Sequence, residues 1–219
     1  KIPKKLRDML KENFSSAIFP PVESELSSDG TIKYLFRAGE GKLFETVYIP
    51  DNKRNTVCVS TQSGCRMGCS FCVTAGYGFH GNLTAGEIVN QVISLPGAGT
   101  VTHVVLMGMG EPMDNLDNVL KACHILTSEW GLALSPRNIT VSTVGITPGI
   151  EKFLTDSCCN LALSLFSPFE QERKTLIPAE VKYPVKSILK LLKDYPVRKS
   201  RRFSLAYVMI QGLNDTDRH

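Results

Sequence analysis

The chain has 219 residues, 42% apolar and 21% charged, with a formal net charge of +4. That is enough chain to bury a core in one domain or one and a half, with the balance of a globular protein. No apolar run reaches the roughly 18 residues of a membrane span, and seven cysteines, an odd count, argue against a disulfide-built secreted scaffold. The first residues are basic and polar, unlike a signal peptide, so a reducing, cytoplasmic compartment is expected, with no membrane partner. The mild positive charge suits a polyanionic partner without requiring one.

In chain order, residues 1–14 are basic, with Leu6, Met9 and Leu10 at helical spacing. FPPVES then breaks the helix. TIKYLFR (31–37) and LFETVYI (43–49) predict two strands around a Gly-containing hairpin loop. Residues 1–54 are therefore expected to form a small accessory module of helix and β-hairpin. From Thr56 the pattern changes to alternating strands and helices. TVCVS (56–60), THVVLM (102–107), NITVST (138–143), NLALSL (160–165) and FSLAYVMI (203–210) predict strands. Residues 84–95 predict a helix opened by a Thr84–Glu87 capping box. Residues 115–130 predict another, with Leu116, Val119, Leu120, Cys123 and Trp130 on one face. Shorter helices are predicted from Pro148 and over 184–195. Repeated β-then-α units with apolar strands give an α/β fold with a parallel sheet covered by helices. A partial or full (β/α) barrel over residues 55–219 fits best, and a doubly wound open sheet is the alternative.

SGCRMGCSFC places Cys65, Cys69 and Cys72 within eight positions, spaced C-x3-C-x2-C. The group follows the strand at 56–60, at the end of such a barrel where ligands bind. Three thiolates can hold three irons of a four-iron, four-sulfur (4Fe-4S) cluster and leave the fourth open, whereas cluster carriers normally supply four cysteines. The alternative is zinc, with His80 completing a Cys3His set; YGFHGN around His80 otherwise serves as a turn. The spacing, with Phe71 before the third cysteine, resembles the radical S-adenosylmethionine (SAM) superfamily. There the open iron chelates SAM, and one electron cleaves it to a 5′-deoxyadenosyl radical.

LMGMGEPMDN (106–115) follows the second apolar strand. Its glycines allow close approach of a ligand, and Glu111 offers a carboxylate that can accept hydrogen bonds from the SAM ammonium. The plainer reading is a Gly-rich turn with Glu111 facing solvent. Taken together, ETVYIP, CVSTQSGCRMGCSFC, GMGEP, ITVSTVG and LALSLFSP, in this order, resemble the RlmN/Cfr family of adenosine methyltransferases. The resemblance runs from about Ser28 to Asp215. It implies a partial barrel of the radical SAM type behind a small N-terminal domain, and methylation of an adenosine in 23S ribosomal RNA. The RlmN branch acts on carbon 2 and also on tRNA; the Cfr branch acts on carbon 8.

The resemblance implies cluster ligation by Cys65, Cys69 and Cys72, and SAM contacts from Gly110, Glu111, Ser142 and Ser164. Cys58, otherwise a small buried strand residue, becomes the thiol that resolves a covalent protein–RNA intermediate. Glu45 becomes a proton acceptor. Alternation puts Glu45 on one face with Leu43, Val47 and Ile49, where desolvation would raise its pKa; the alternative is a salt-bridged edge-strand glutamate. The implied route uses two SAM molecules and a methylated cysteine, and ends in a disulfide with Cys58. It explains how an unactivated adenine carbon can be methylated, since simple methyl transfer from SAM needs a nucleophile. A flavodoxin-like electron donor and a monomeric state are also expected.

Three departures from the family pattern stand out. The chain stops at His219, before the region with the methyl-accepting cysteine, and neither Cys158 nor Cys159 fits that role. The chain is therefore expected to bind a cluster and SAM but not to complete methylation, with the C-terminal part of the barrel missing. Phe166 also stands where the family commonly has histidine. RNA contact is expected from Lys1, Lys4, Lys5, Arg7 and Lys11, or from Arg198, Lys199, Arg201 and Arg202; either group also reads as a solvated face. Two other classes stay open: a radical SAM enzyme with a different substrate, against which Cys58 and GMGEP argue, and a non-catalytic metal-binding RNA-binding relative.

Overall fold

The computed structural model describes residues 2–13, 18–196 and 201–219. Helix α1 (Lys4–Asn13) buries no side chain, and its apolar stripe of Leu6, Met9 and Leu10 is exposed. Three antiparallel strands follow: β1 (Glu23–Leu26), β2 (Ile32–Arg37) and β3 (Leu43–Ile49). The sequence predicts only the last two. All four residues of β1 are exposed, so no apolar alternation announces it. β3 then pairs antiparallel with β4 (Thr56–Cys58), Val47 opposite Cys58. The expected boundary after residue 54 thus falls on a connection within one continuous sheet.

Beyond β4 lies a two-stranded ribbon, β5 (Gln62–Gly64) and β6 (Phe79–Asn82), with the short helix α2 (Val73–Gly76) between them. β6 replaces the turn expected around His80. The chain continues through α3 (Ala85–Ile93), β7 (His103–Leu106), α4 (Leu116–Thr127), β8 (Ile139–Thr143) and α5 (Thr147–Asp156). It ends with β9 (Asn160–Ser164), α6 (Glu170–Leu176), α7 (Val185–Asp194) and β10 (Phe203–Ala206). Thr84 and Glu87 form the predicted capping box at the start of α3. Two corrections apply. Ser128 Oγ donates to the His124 carbonyl at 2.6 Å and closes α4 at Thr127, so Trp130 lies outside the helix and is 70% exposed. The last strand stops at Ala206, and Val208 and Met209 are exposed.

The main sheet has the order β1-β2-β3-β4-β7-β8-β9-β10. From β4 onward its strands are parallel and follow chain order. A doubly wound sheet reverses its order partway; this one does not. Right-handed crossovers that always step the same way put their helices on one face. The result is the expected partial barrel.

Strand alternation gives the sheet two unlike faces. On the helix-covered face, Val57, Val59, Val104, Leu106, Ile139, Val141, Leu161 and Leu163 are at most 1% exposed. They pack with Ile88 of α3, Val119 and Leu126 of α4, Phe153 of α5 and Ile188 of α7 in one cluster. Burying each such side chain is worth about 1.5–3 kcal/mol. On the other face one row runs Val47, Cys58, Val105, Thr140, Asn160 across five strands. Glu45, Ser142 and Ser164 project from this same concave face.

Candidate active site

The cysteine loop starts from a close backbone approach. Gly64 has φ +74°, and a Cβ there would stand 1.8 Å from the Gly78 carbonyl oxygen. Only glycine fits, and the Cys65 N–H then donates to that same oxygen at 2.8 Å. Further along, Cys72 N–H donates to the Cys69 carbonyl at 3.1 Å, and Ser70 N–H to the Leu176 carbonyl of α6 at 3.0 Å. Cys69 packs against Phe166, Leu176 and Ile177. Phe166, at φ 59°, stacks on Phe71 with ring centroids 4.1 Å apart. Residue 166 therefore makes an apolar contact with the loop rather than a polar one.

All seven cysteines are free thiols. Burial pushes the Cys69 thiol up to about 12, and the neighbouring Cys65 and Cys72 add to it. Cys65 is also raised, by burial first, with Glu111 and Cys72 contributing against the Met67 N–H. Three thiols that sense one another fit the sulfur donors of a metal group, whose positive charge would ionise them. Among the described residues no three His, Cys, Asp or Glu side chains are set to hold a single ion. His80 lies exposed on β6 with Nε2 at 2.8 Å from the Tyr77 carbonyl. The Cys3His zinc arrangement is thus not formed. Three thiols on one loop are one fewer than the four that a cluster carrier normally supplies.

Glu111 follows β7 and is 3% exposed, which excludes the solvent-facing turn. Its Oε1 accepts from Thr143 Oγ1 at 2.6 Å and from the Met113 N–H at 3.0 Å, and its Oε2 accepts from the Val144 N–H at 2.9 Å. A carboxylate has about four acceptor positions, so one stays open. Burial raises Glu111 to about 7 against these three hydrogen bonds. Gly110 has φ +99°, and a Cβ there would stand 2.6 Å from the Gln62 Cβ. That approach lets Gln62 Oε1 accept from the Glu111 N–H at 2.9 Å. Gln62 Nε2 donates to Asn82 and Asp114, both at 2.8 Å. Asp114 in turn pairs with Arg66 at 2.8 Å. The residue after Cys65 is thereby tied to the segment carrying Glu111.

The two serines meet: Ser142 Oγ and Ser164 Oγ are 3.2 Å apart. Cys58 lies two strands away on the same face. Burial pushes its thiol up to about 11, partly offset by the Met107 N–H. Glu45 requires a correction. The buried side of β3 is Phe44 and Thr46, so Glu45 is on the concave face, its side chain 44% exposed and 3.8 Å from Lys33 Nζ. It is not desolvated by a core. Val47 opposite Cys58 fixes Glu45 as a diagonal neighbour of Cys58, a separation of roughly 7–8 Å between Cα atoms. Ser60 Oγ donates to the Glu45 carbonyl at 2.5 Å and accepts from the Met109 N–H at 2.9 Å.

An open cleft of about 570 Å³ is lined by Glu45, Ser63, Gly64, Tyr77, His80 and Met109 among others, while the three loop cysteines, Glu111 and the two serines lie outside its lining. Glu45 and the base of the cysteine loop therefore share one cavity. Thr143 and Gln62 escape the sequence reading. Thr143 shares its face of β8 with the apolar Ile139 and Val141, and Gln62 lies on a ribbon that the sequence does not announce. Of the basic groups, Arg201 is engaged internally, donating to the Cys159 and Leu154 carbonyls at 3.0 and 2.8 Å. Lys1, Arg198 and Lys199 lie outside the described residues. No helix is long and apolar enough to cross a membrane among the described residues.

Comparison with known proteins agrees with this geometry. Residues 59–219 match the radical SAM superfamily. A "Probable dual-specificity RNA methyltransferase RlmN" of Bacteroides thetaiotaomicron is 49% identical over 212 residues, covering 97% of this chain and 61% of that protein. The "Dual-specificity RNA methyltransferase RlmN" of Syntrophotalea carbinolica is 43% identical over 215 residues, covering 98% of this chain and 58% of that one. The chain thus spans about three fifths of these relatives, 61% and 58%. The crystal structure of a radical SAM methyltransferase from Sphaerobacter thermophilus superposes with a TM-score of 0.91 at 38% identity, over 99% of this chain and 66% of that one. Three thiols on one loop, a buried carboxylate at a strand end and this kinship agree: the chain belongs to the radical SAM superfamily and, within it, to the RlmN type.

Proposed function

We propose that this chain carries the cofactor-binding core of a radical SAM RNA methyltransferase acting on carbon 2 of an adenosine in 23S ribosomal RNA, and on tRNA. The observation that carries this reading is the three-thiol loop fastened beside the buried Glu111 at the C-terminal ends of parallel strands. Cys65, Cys69 and Cys72 would hold a 4Fe-4S cluster. Once bound and reduced, it supplies the electron that cleaves SAM homolytically. Gly110 and Glu111 orient SAM, and the open acceptor position of Glu111 takes its ammonium. Ser142 and Ser164 offer hydroxyls from the two adjoining strand ends. The adenine enters the cleft next to Glu45, which accepts the ring proton. Cys58, on the same face, resolves the covalent adduct and ends in a disulfide after each turnover.

The route through a methylated cysteine draws on a residue that the resemblance places after this stretch. The 219-residue stretch itself is proposed to bind cluster and SAM. A flavodoxin-like donor, a monomer and a cytoplasmic setting complete the proposal.

The test is anaerobic reconstitution with iron and sulfide, followed by EPR of the reduced chain with and without SAM. A four-iron signal that changes on adding SAM is expected. Stoichiometric zinc without a cluster would sink the reading. In the full-length protein, RNA fragments with adenosine deuterated at carbon 2 or carbon 8 separate the two target carbons.

A further inference from the structure

Arg173 of α6 is fully buried, at 0% exposure. Arginine is almost never fully buried unless paired, and here the partner is Glu180, itself buried. Replacing such pairs by apolar residues is often neutral or stabilising, so stability alone is a weak reason for this one. Its geometry supplies a better reason. Arg173 Nε donates to the Leu165 carbonyl at 3.0 Å, and Nη2 donates to the Ser164 carbonyl at 3.0 Å and to the Val144 carbonyl. Ser164 ends β9 and Leu165 follows it; Val144 follows β8, and its N–H binds Glu111. One guanidinium therefore gathers the two strand ends that carry Ser142, Ser164 and the Glu111 partners.

The same helix touches the cysteine loop. The Leu176 carbonyl accepts from the Ser70 N–H at 3.0 Å, and Leu176 and Ile177 pack on Cys69. Glu180, the partner of Arg173, accepts from the Val185 N–H at 2.9 Å.

We infer that Arg173 is a positioning residue of the cofactor site: it gathers the ends of β8 and β9 onto the helix that holds the cysteine loop. This rests on the reading of Cys65, Cys69 and Cys72 as cluster ligands.

Two variants of the reconstituted chain test it. Arg173→Met combined with Glu180→Leu removes the pair without leaving an orphan charge, and should fold. Its SAM affinity by calorimetry should fall about tenfold at an unchanged iron content. Arg173→Lys keeps the charge and loses the planar fork, so it should lose SAM affinity as well. A loaded double variant with wild-type SAM affinity overturns the clamp. Should the double variant fail to load, the lysine variant decides, since wild-type SAM affinity there overturns the clamp. Failure of the wild-type chain itself to take up a cluster would instead sink the ligand assignment.

Discussion

Thr143 Oγ1 donates to Glu111 Oε1 at 2.6 Å, so the carboxylate at the end of one parallel strand is fastened to the end of the next. The bond is buried on both sides. It makes Glu111 a fixed part of the strand ends rather than a mobile side chain at a rim.

Burial holds Glu111 at about 7, above its ordinary 4.5. For an acid raised in the folded state, the stabilising contribution is fully present below the ordinary value and is lost as pH rises through about 7. An ammonium ligand needs the opposite, ionised form. SAM affinity should therefore strengthen as pH rises from about 6 to about 8. Glu111→Gln should bind weakly at every pH, because its amide N–H groups face donors. Calorimetry across that range checks both.

Gly64→Ala meets the Gly78 carbonyl at 1.8 Å in a backbone conformation that alanine resists. It should destabilise the chain by more than about 1 kcal/mol and displace Cys65. Gly76→Ala, with nothing within 4 Å of the new methyl, should do neither. Thermal unfolding and iron content after reconstitution are the two measurements.

Leu163 and Ser164 are neighbours on opposite faces of β9. Leu163→Ala leaves a cavity among helices and should cost about 2–5 kcal/mol, with residual SAM binding in the folded fraction. Ser164→Ala removes the 3.2 Å contact with Ser142 and should change stability by about 0.5 kcal/mol or less while weakening SAM. Denaturant melts and calorimetry of both variants separate packing from binding.

Cys58 is held near 11 by burial, whereas Cys158 is exposed. In the chain without metal, at about pH 8, iodoacetamide should modify Cys158 at least about tenfold faster. Peptide mass spectrometry over time reads the two rates. Equal rates would mean that Cys58 is open to solvent.

The strand and helix order was legible because apolar periodicity and capping are local. Thr84 with Glu87 opened α3 where expected, and Pro148 stands in the first turn of α5. The cysteine spacing and GMGEP marked the site for the same reason. What failed was non-local. Alternation along β3 shows two faces but not which one is covered, and the aromatic partner of Phe44 is Phe36 on another strand. The desolvation expected of Glu45 therefore fails, and the salt-bridged alternative holds, with Lys33 Nζ 3.8 Å away. β5, β6 and α6 are short or polar, and their order comes from partners distant in sequence, such as Asp114 for Gln62 and Val144 for Arg173. A buried arginine carries no local signature at all.

The pleat of β3 also bears on how such a chain can change over generations. Phe44 and Thr46 face the helices while Glu45 faces the cleft. Exchanging one of these residues alters one side only. Deleting one would rotate every later side chain in the strand to the opposite side, sending an aromatic ring into the cleft or a carboxylate under the helices. Lineages descended from this sequence should therefore vary more in letter than in length along 43–49. Insertions and deletions should collect in the turn at 38–42 and the connection at 50–55, which bend without setting any side.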